Sequence, residues 1–165
     1  MRSTLPFALG LFLVAIPAYA EQQDSDAPDF RTEDTAYAYS TPEEAYAGFR
    51  MHFGKARAFF LVTDYTSAIK ELEKAYILVR DPTALINLAQ AYDERAEVEI
   101  ENGEYQKARI DKRTALRLYQ NASRAKLIQA DHILCIARIA EVKKDLGKLR
   151  EVDPVLAQLR KQAQQ

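Results

Sequence analysis

The chain has 165 residues, a formal net charge of −1 and 28% charged residues, so it lacks the basic surplus that nucleic-acid binding requires. Its single cysteine, Cys135, excludes an intramolecular disulfide. The cysteine is flanked by Ile133, Leu134 and Ile136, and this apolar setting predicts a buried, unreactive thiol.

The first 20 residues contain the parts of a secretory signal in their usual order. Arg2 supplies the positive charge, residues 5–16 are largely apolar, and Ala18-Tyr19-Ala20 is a small-x-small cleavage site. The apolar stretch of residues 5–20 is shorter than the ~20 residues that a transmembrane helix needs. We therefore expect cleavage after Ala20, export to the periplasm or out of the cell, and no stable membrane insertion afterwards.

Two further regions follow the signal. Residues 21–40 carry six acidic residues against Arg31 and show no apolar periodicity, which predicts an acidic, disordered tail. Order is expected from Thr41, which suits a helix N-cap, with Pro42 at the first helical position and Glu44 at the third. The predicted organisation is a signal (1–20), a tail (21–40) and one helical domain (41–165).

The helical domain shows a 3.6-residue apolar period and no sustained alternation, so the predicted fold class is all-α without a β-sheet. Turns are expected near residues 63–64, 80–82, 102–103, 121–123 and 147. These turns divide the domain into three antiparallel helix hairpins at about residues 42–80, 83–121 and 123–163.

An internal repeat supports this division. A set of residues on one helix face recurs forty positions later, so that Tyr65, Ala68, Ala75 and Leu78 correspond to Tyr105, Ala108, Ala115 and Leu118. A second pattern, Ala56-Arg57-Ala58-Phe59, recurs as Ala89-Gln90-Ala91-Tyr92. The small alanines allow a neighbouring helix to approach closely.

These patterns resemble the tetratricopeptide repeat family. The motifs that carry the resemblance are Leu88-Ala89-Gln90-Ala91-Tyr92, Gly103-Glu104-Tyr105-Gln106-Lys107-Ala108 and Asp64-Tyr65-Thr66-Ser67-Ala68-Ile69. The resemblance covers residues 49–160 and implies a short right-handed solenoid of about three hairpins.

The sequence departs from the family pattern in two places. The middle unit has seven additional residues before its turn, and seven residues are about two helical turns, so we expect an elongated middle hairpin with an acidic tip. In the third unit Pro154 falls inside the second helix, and Asp153-Pro154 predicts the start of a short final helix instead.

The resemblance implies a concave groove for extended peptides, lined by the first helix of each hairpin. The residues that it places there are Arg50, Phe53, Arg57, Asn87, Gln90, Asp93, Arg138, Glu141 and Lys144. The leading hypothesis is an exported interaction or scaffold module that binds a protein or peptide partner in the cell envelope. The alternative is a structural subunit that homo-oligomerises through the long middle hairpin.

Catalysis is the third alternative and has little support in the sequence. His52 and His132 do not stand in a metal-ligand spacing, and no phosphate-binding loop or nucleophile elbow occurs. The acidic cluster lacks a calcium-loop pattern and predicts a solvated face; it comprises Glu94, Glu97, Glu99 and Glu101. We therefore predict no enzyme, no metal and no cofactor.

Overall fold

A computed structural model describes residues 41–163, except for the side chains at positions 153–154, 156–157, 159–161 and 163. This range contains five helices and no strand, which confirms the all-α class. The helices are α1 (Pro42–Leu61), α2 (Tyr65–Val79), α3 (Pro82–Glu101), α4 (Tyr105–Arg124) and α5 (Gln129–Ala163). None of these five has an apolar run of the length that a bilayer crossing requires. The predicted signal and acidic tail lie outside the described residues.

Side chains cap the first three helices. The Thr41 hydroxyl oxygen accepts a hydrogen bond from the Glu44 backbone N–H at 3.2 Å, and Pro42 is the first helical residue, as the capping box predicts. The carboxylates of Asp64 and Asp81 accept backbone N–H groups at the starts of α2 and α3, at 3.0 and 2.7 Å. These caps satisfy amides that a helix start otherwise leaves unpaired.

Three of the five predicted turns are confirmed, at residues 63–64, 80–82 and 102–103. Each contains one residue in the left-handed region: Thr63 (φ 59°), Arg80 (φ 57°) and Gly103 (φ 75°). The turn predicted at residues 121–123 is wrong, because α4 continues to Arg124 and buries Asn121. The connection to α5 lies at residues 125–128 instead.

The helices pack in chain order, and the principal contacts join α1 to α2, α2 to α3, α3 to α4 and α4 to α5. The repeated alanines are fully buried where these helices meet; they are Ala68, Ala75, Ala108 and Ala115. A small side chain at a helix crossing allows the two axes to approach closely. The forty-residue repeat therefore has a structural basis, since α2 and α4 use equivalent positions for packing.

The third predicted hairpin is wrong. Helix α5 continues without a turn through Gly147 and Pro154, so the described chain has two hairpins followed by one long helix. A buried face that repeats every seven residues explains this continuity; it comprises Cys135, Val142 and Leu149. Among the side chains that the structure describes, Leu149 is the last of α5 in the packed apolar clusters, and the hydrogen bond that Pro154 cannot donate lies after it in the chain.

The middle hairpin is elongated in its second helix only. Helix α4 has 20 residues and α2 has 15, whereas α3 and α1 have 20 residues each. The predicted extension of α3 beyond its alanine pattern is present. Helices α1 and α3 nevertheless have the same length, because α1 has more residues before Ala56 than α3 has before Ala89.

Candidate interaction surfaces

The first helix exposes an apolar face that we name the α1 stripe. It consists of Ala47, Met51, Gly54, Ala58 and Leu61, all of which are exposed. Their spacing of four and three residues places them along one side of the helix. Met51 is 48% exposed and Leu61 is 66% exposed. A shallow depression lies on this side, lined by Glu44, Ala47, Gly48 and Met51.

The last helix exposes a similar face that we name the α5 stripe. It consists of Ile133, Ala137, Ala140, Lys144 and Gly147, all of which are exposed. Ile133 is 58% exposed, and the neighbouring Ile136 is 54% exposed. The stripe is apolar up to Ala140 and becomes basic after it. Among the described side chains, the exposed basic residues that follow are Lys143, Lys144, Lys148 and Arg150, and the exposed acidic ones are Glu141 and Glu151.

Both stripes lie on helices at the ends of the packing order. Helices α2, α3 and α4 each have two principal neighbours, whereas α1 packs mainly on α2 and α5 mainly on α4. Among residues 41–163, none buries the side of an end helix that faces away from its neighbour. Exposed apolar faces of this kind commonly mark sites of protein–protein contact.

A group of charges around one buried lysine, which we name the ionic layer, joins α3, α4 and α5. Its centre is Lys112, whose side chain is almost completely buried. The Lys112 ammonium donates to Asp93 at 2.6 Å and to Glu97, and it lies 3.5 Å from Asp145. Since a buried ammonium is costly without partners, this arrangement satisfies the charge within the fold.

The charges of the ionic layer shift one another's ionisation. Burial alone would lower the pKa of Lys112, but the carboxylates of Asp93 and Glu97 raise it above its ordinary value. Burial acts to raise the pKa of Asp145, yet the hydrogen bond from Lys148 and the charge of Lys112 lower it overall. Partial burial and the nearby charge of Asp93 raise the pKa of Glu94, which lies beside the layer. The charged forms of Lys112 and Asp145 are thus favoured.

A second polar chain joins α2, α3 and α4. The Arg95 guanidinium donates to both carboxylate oxygens of Asp111, at 2.6 and 2.9 Å, and its carbon lies 5.2 Å from the centre of the Tyr92 ring. The Tyr92 hydroxyl donates to Glu73 at 3.1 Å. These groups bind one another between packed helices, so we assign them a structural role.

The nine predicted groove residues are distributed over α1, α3 and α5 and differ in exposure. Arg50, Arg57, Glu141 and Lys144 are exposed, whereas Phe53, Gln90 and Arg138 are partly buried. Asn87 and Asp93 are buried.

The two buried members of that set have partners inside the fold. The Asn87 amide donates to the Thr83 carbonyl at 2.8 Å, and Asp93 accepts from Lys112. The expectation that Asn87 and Asp93 line an accessible groove therefore needs revision, because their polar atoms are engaged in structural hydrogen bonds.

The histidines occupy separate helices. His52 is buried in α1, and its Nδ1 lies 2.7 Å from a Glu71 carboxylate oxygen whose partner oxygen accepts from Lys74 at 2.8 Å. His132 is exposed on α5. Cys135 is fully buried as predicted, and burial raises its pKa to about 11. Among the described residues, no three His, Cys, Asp or Glu side chains are placed to hold a metal ion.

Sequence reasoning identified neither the two stripes nor the ionic layer. Helix α1 has apolar residues on two sides, and the larger aromatic residues on the core side mask the smaller ones of the α1 stripe. Lys112 stands between Asp111 and Arg113, a pattern that is typical of a solvated helix face. The sequence pattern that could have indicated the α1 stripe is the alternating spacing of four and three residues from Ala47 to Leu61.

No protein-family model, curated protein or solved structure matches the chain. The α1 and α5 stripes are therefore interpreted from their own geometry and chemistry. They combine exposure, apolar character and a regular helical spacing, which makes them the strongest candidates for a functional surface among the described residues.

Proposed function

We propose that this chain is an exported protein-interaction module, built as a short tetratricopeptide-like array of helices, that binds a partner in the cell envelope. The observation that carries the proposal is the exposure of one apolar stripe on each end helix. Burying such a face against a partner removes apolar surface from water and stabilises the complex.

The packing order supports a solenoid architecture. In helical repeat proteins each unit contacts its neighbours in the chain, and the outer faces of the first and last units are normally polar. Here the contacts follow chain order and the alanine repeat is used in packing, but both outer faces are partly apolar. In such an array, a further helix that packs on either end would bury the apolar face there.

The groove remains a second place for a partner within the same proposal. Its accessible candidates are Arg50 and Arg57 on α1 and Glu141 and Lys144 on α5. Because the groove-level residues of α3 include the engaged Asn87 and Asp93, we expect the end helices to contribute more binding energy than the middle one. The proposal includes signal cleavage after Ala20 and assigns the chain no catalytic role.

Site-specific photo-crosslinking in exporting cells tests the proposal. The crosslinking residue is placed at Met51 in the α1 stripe, at Ile133 in the α5 stripe or at Gln90 in the groove. The matched control is Ile110, an apolar residue on α4 that is 63% exposed and belongs to neither stripe. Adducts from position 51 or 133, with few or none from position 110, support binding at the ends.

Two other results would change or overturn the proposal. Adducts confined to position 90 would move the binding surface to the groove. An absence of adducts at all three test positions, in a chain that is exported and folded, would contradict an interaction role.

A further inference from the structure

The α1 and α5 stripes complement each other in size when they are paired antiparallel. Placing Met51 opposite Ala140 puts Gly54 opposite Ala137 and Ala58 opposite Ile133. Each large residue then faces a small one, and the glycine faces an alanine. Since both stripes have the same spacing of four and three residues, the match continues along four successive levels without a shift in register.

The same alignment brings opposite charges together. It places Ala47 opposite Lys144, so the acidic first turn of α1, with Glu43 and Glu44, lies at the level of the basic part of α5. Helical geometry puts Glu44 and Lys148 on one side of the contact, and Glu43 and Arg150 on the other. Opposite charges thus flank both sides of the pairing at this end.

The depression on α1 lies at the level of Lys144 in this alignment. Its lining residues, Glu44, Ala47, Gly48 and Met51, stand at the four positions that form the hole of a knobs-into-holes contact. The methylene chain of a lysine can cover Ala47 and Gly48 while its ammonium reaches Glu44. Space around Gly54 and Gly147 is open, so neither glycine obstructs a neighbouring helix.

From these observations we propose that the chain self-associates head to tail, with α1 of one copy packed antiparallel on the α5 stripe of the next. The inference rests on the proposed function and names a second copy as the partner at the end helices. The contact continues the order of packing within one chain, in which each helix lies beside the next. Because the two surfaces differ, each copy keeps one free end, so the assembly grows into a filament or closes into a ring.

One like-charge contact accompanies these attractions. Arg50 and Lys143 fall at nearly the same level on one flank of the pairing. Repulsion between two exposed charges weakens the association only slightly, but its removal should strengthen the association. Arg50→Glu therefore strengthens self-association, in spite of its position on the helix that forms the contact.

A reciprocal charge exchange tests the pairing in the purified, exported protein. Variant one carries Glu43→Lys and Glu44→Lys, and variant two carries Lys144→Glu and Arg150→Glu. Analytical ultracentrifugation should show that each variant alone associates about tenfold more weakly than the original chain. An equimolar mixture should recover association, because each variant then offers an end that complements the other.

The control variant reverses two exposed charges on α4, Arg113→Glu and Arg117→Glu, which changes the net charge as much as variant two does. It should associate like the original chain. Circular dichroism and thermal melting of every variant verify that the helices are retained. A mixture that remains as weakly associated as its components would overturn the proposed register.

Oxidative crosslinking gives an independent answer. Met51→Cys combined with Ala140→Cys should produce a ladder of disulfide-linked species, while either substitution alone should not, because the native Cys135 is buried. Dimers from Met51→Cys alone would instead indicate contact between two α1 helices and overturn the proposal.

Failure of this inference is distinguishable from failure of the proposed function. A chain that stays monomeric at all concentrations, yet forms photo-adducts with a different protein from position 51 or 133, would refute self-association and retain the interaction role. Absence of both self-association and adducts would contradict both.

Discussion

Replacement of the buried Lys112 by methionine should destabilise the protein strongly. Methionine has a similar length and no charge, so the substitution removes the ammonium while it retains most of the packing. Of the three carboxylates around Lys112, only Asp93 is buried; Glu97 is exposed, and Asp145 retains a 2.6 Å contact with Lys148. The cost is therefore that of one uncompensated buried carboxylate, about 3–5 kcal/mol.

This loss can be measured by urea and thermal unfolding. For a domain of this size, it corresponds to a decrease in Tm of roughly 10–20 °C. Lys107→Met on the same helix is the matched control, because Lys107 is 65% exposed and pairs with an exposed Glu104. The control should change the free energy of unfolding by no more than about 0.5 kcal/mol.

The pH dependence of the variant provides a second check. Burial already raises the pKa of Asp93, and removal of Lys112 raises it further. When the pKa of a carboxyl group is higher in the folded state than in the unfolded state, the group stabilises the fold at pH values below its unfolded-state pKa. This stabilisation is lost as the pH rises. The loss of unfolding free energy in Lys112→Met should therefore shrink on acidification. Adding Asp93→Asn to this variant should recover most of the lost stability at neutral pH. A deficit below about 1 kcal/mol, or one that is independent of pH, would refute the reasoning.

Three further predictions concern stability. Glu94→Gln should raise the neutral-pH Tm, with the gain disappearing below about pH 4.5, since burial and Asp93 raise the Glu94 pKa; a gain that persists in acid would contradict this. Ala115→Leu should lower the free energy of unfolding by about 1–3 kcal/mol in urea titrations, because Ala115 is fully buried at a helix contact. Gly103→Ala should cost about 1 kcal/mol at φ 75°, whereas Gly147→Ala, in the interior of α5, should gain up to about 1 kcal/mol; equal effects would argue against these backbone assignments.

Local signals predicted the starts of the first helices and three of the turns. The predicted hydrogen bond between the Glu44 backbone N–H and the Thr41 hydroxyl is present, and Tyr65 and Tyr105, at equivalent repeat positions, are the first residues of α2 and α4. These features depend on a few neighbouring residues, so the sequence carries them directly. The buried alanines of the repeat were identifiable for the same reason, since periodicity marks a helix face.

Tertiary packing determined what the local signals missed. Gly147 resembles a turn residue, but the helix continues through it because Val142 and Leu149, on either side, pack against the preceding helices. The ionic layer was also inaccessible to local reasoning, because Lys112 receives its partners from two other helices. Likewise, the exposed stripe on α1 could be distinguished from the buried side only when the position of α2 was known.

The ionic layer has a further consequence for how the last three helices fit together. Along α4, Lys112 lies between Ala115, which belongs to the main apolar cluster, and Ala108, which belongs to a second, smaller one. Asp145 stands between Val142 and Leu149 in the same way on α5. A helix that slid by one turn would place a buried charge against apolar side chains and would leave its partner unpaired, at a cost of several kcal/mol. Alanines and a regular seven-residue spacing pack almost equally well in alignments that differ by one helical turn. The charged contacts therefore select one register. That register fixes the level of α5 along the axis of α4, and hence the height at which the α5 stripe lies in the fold.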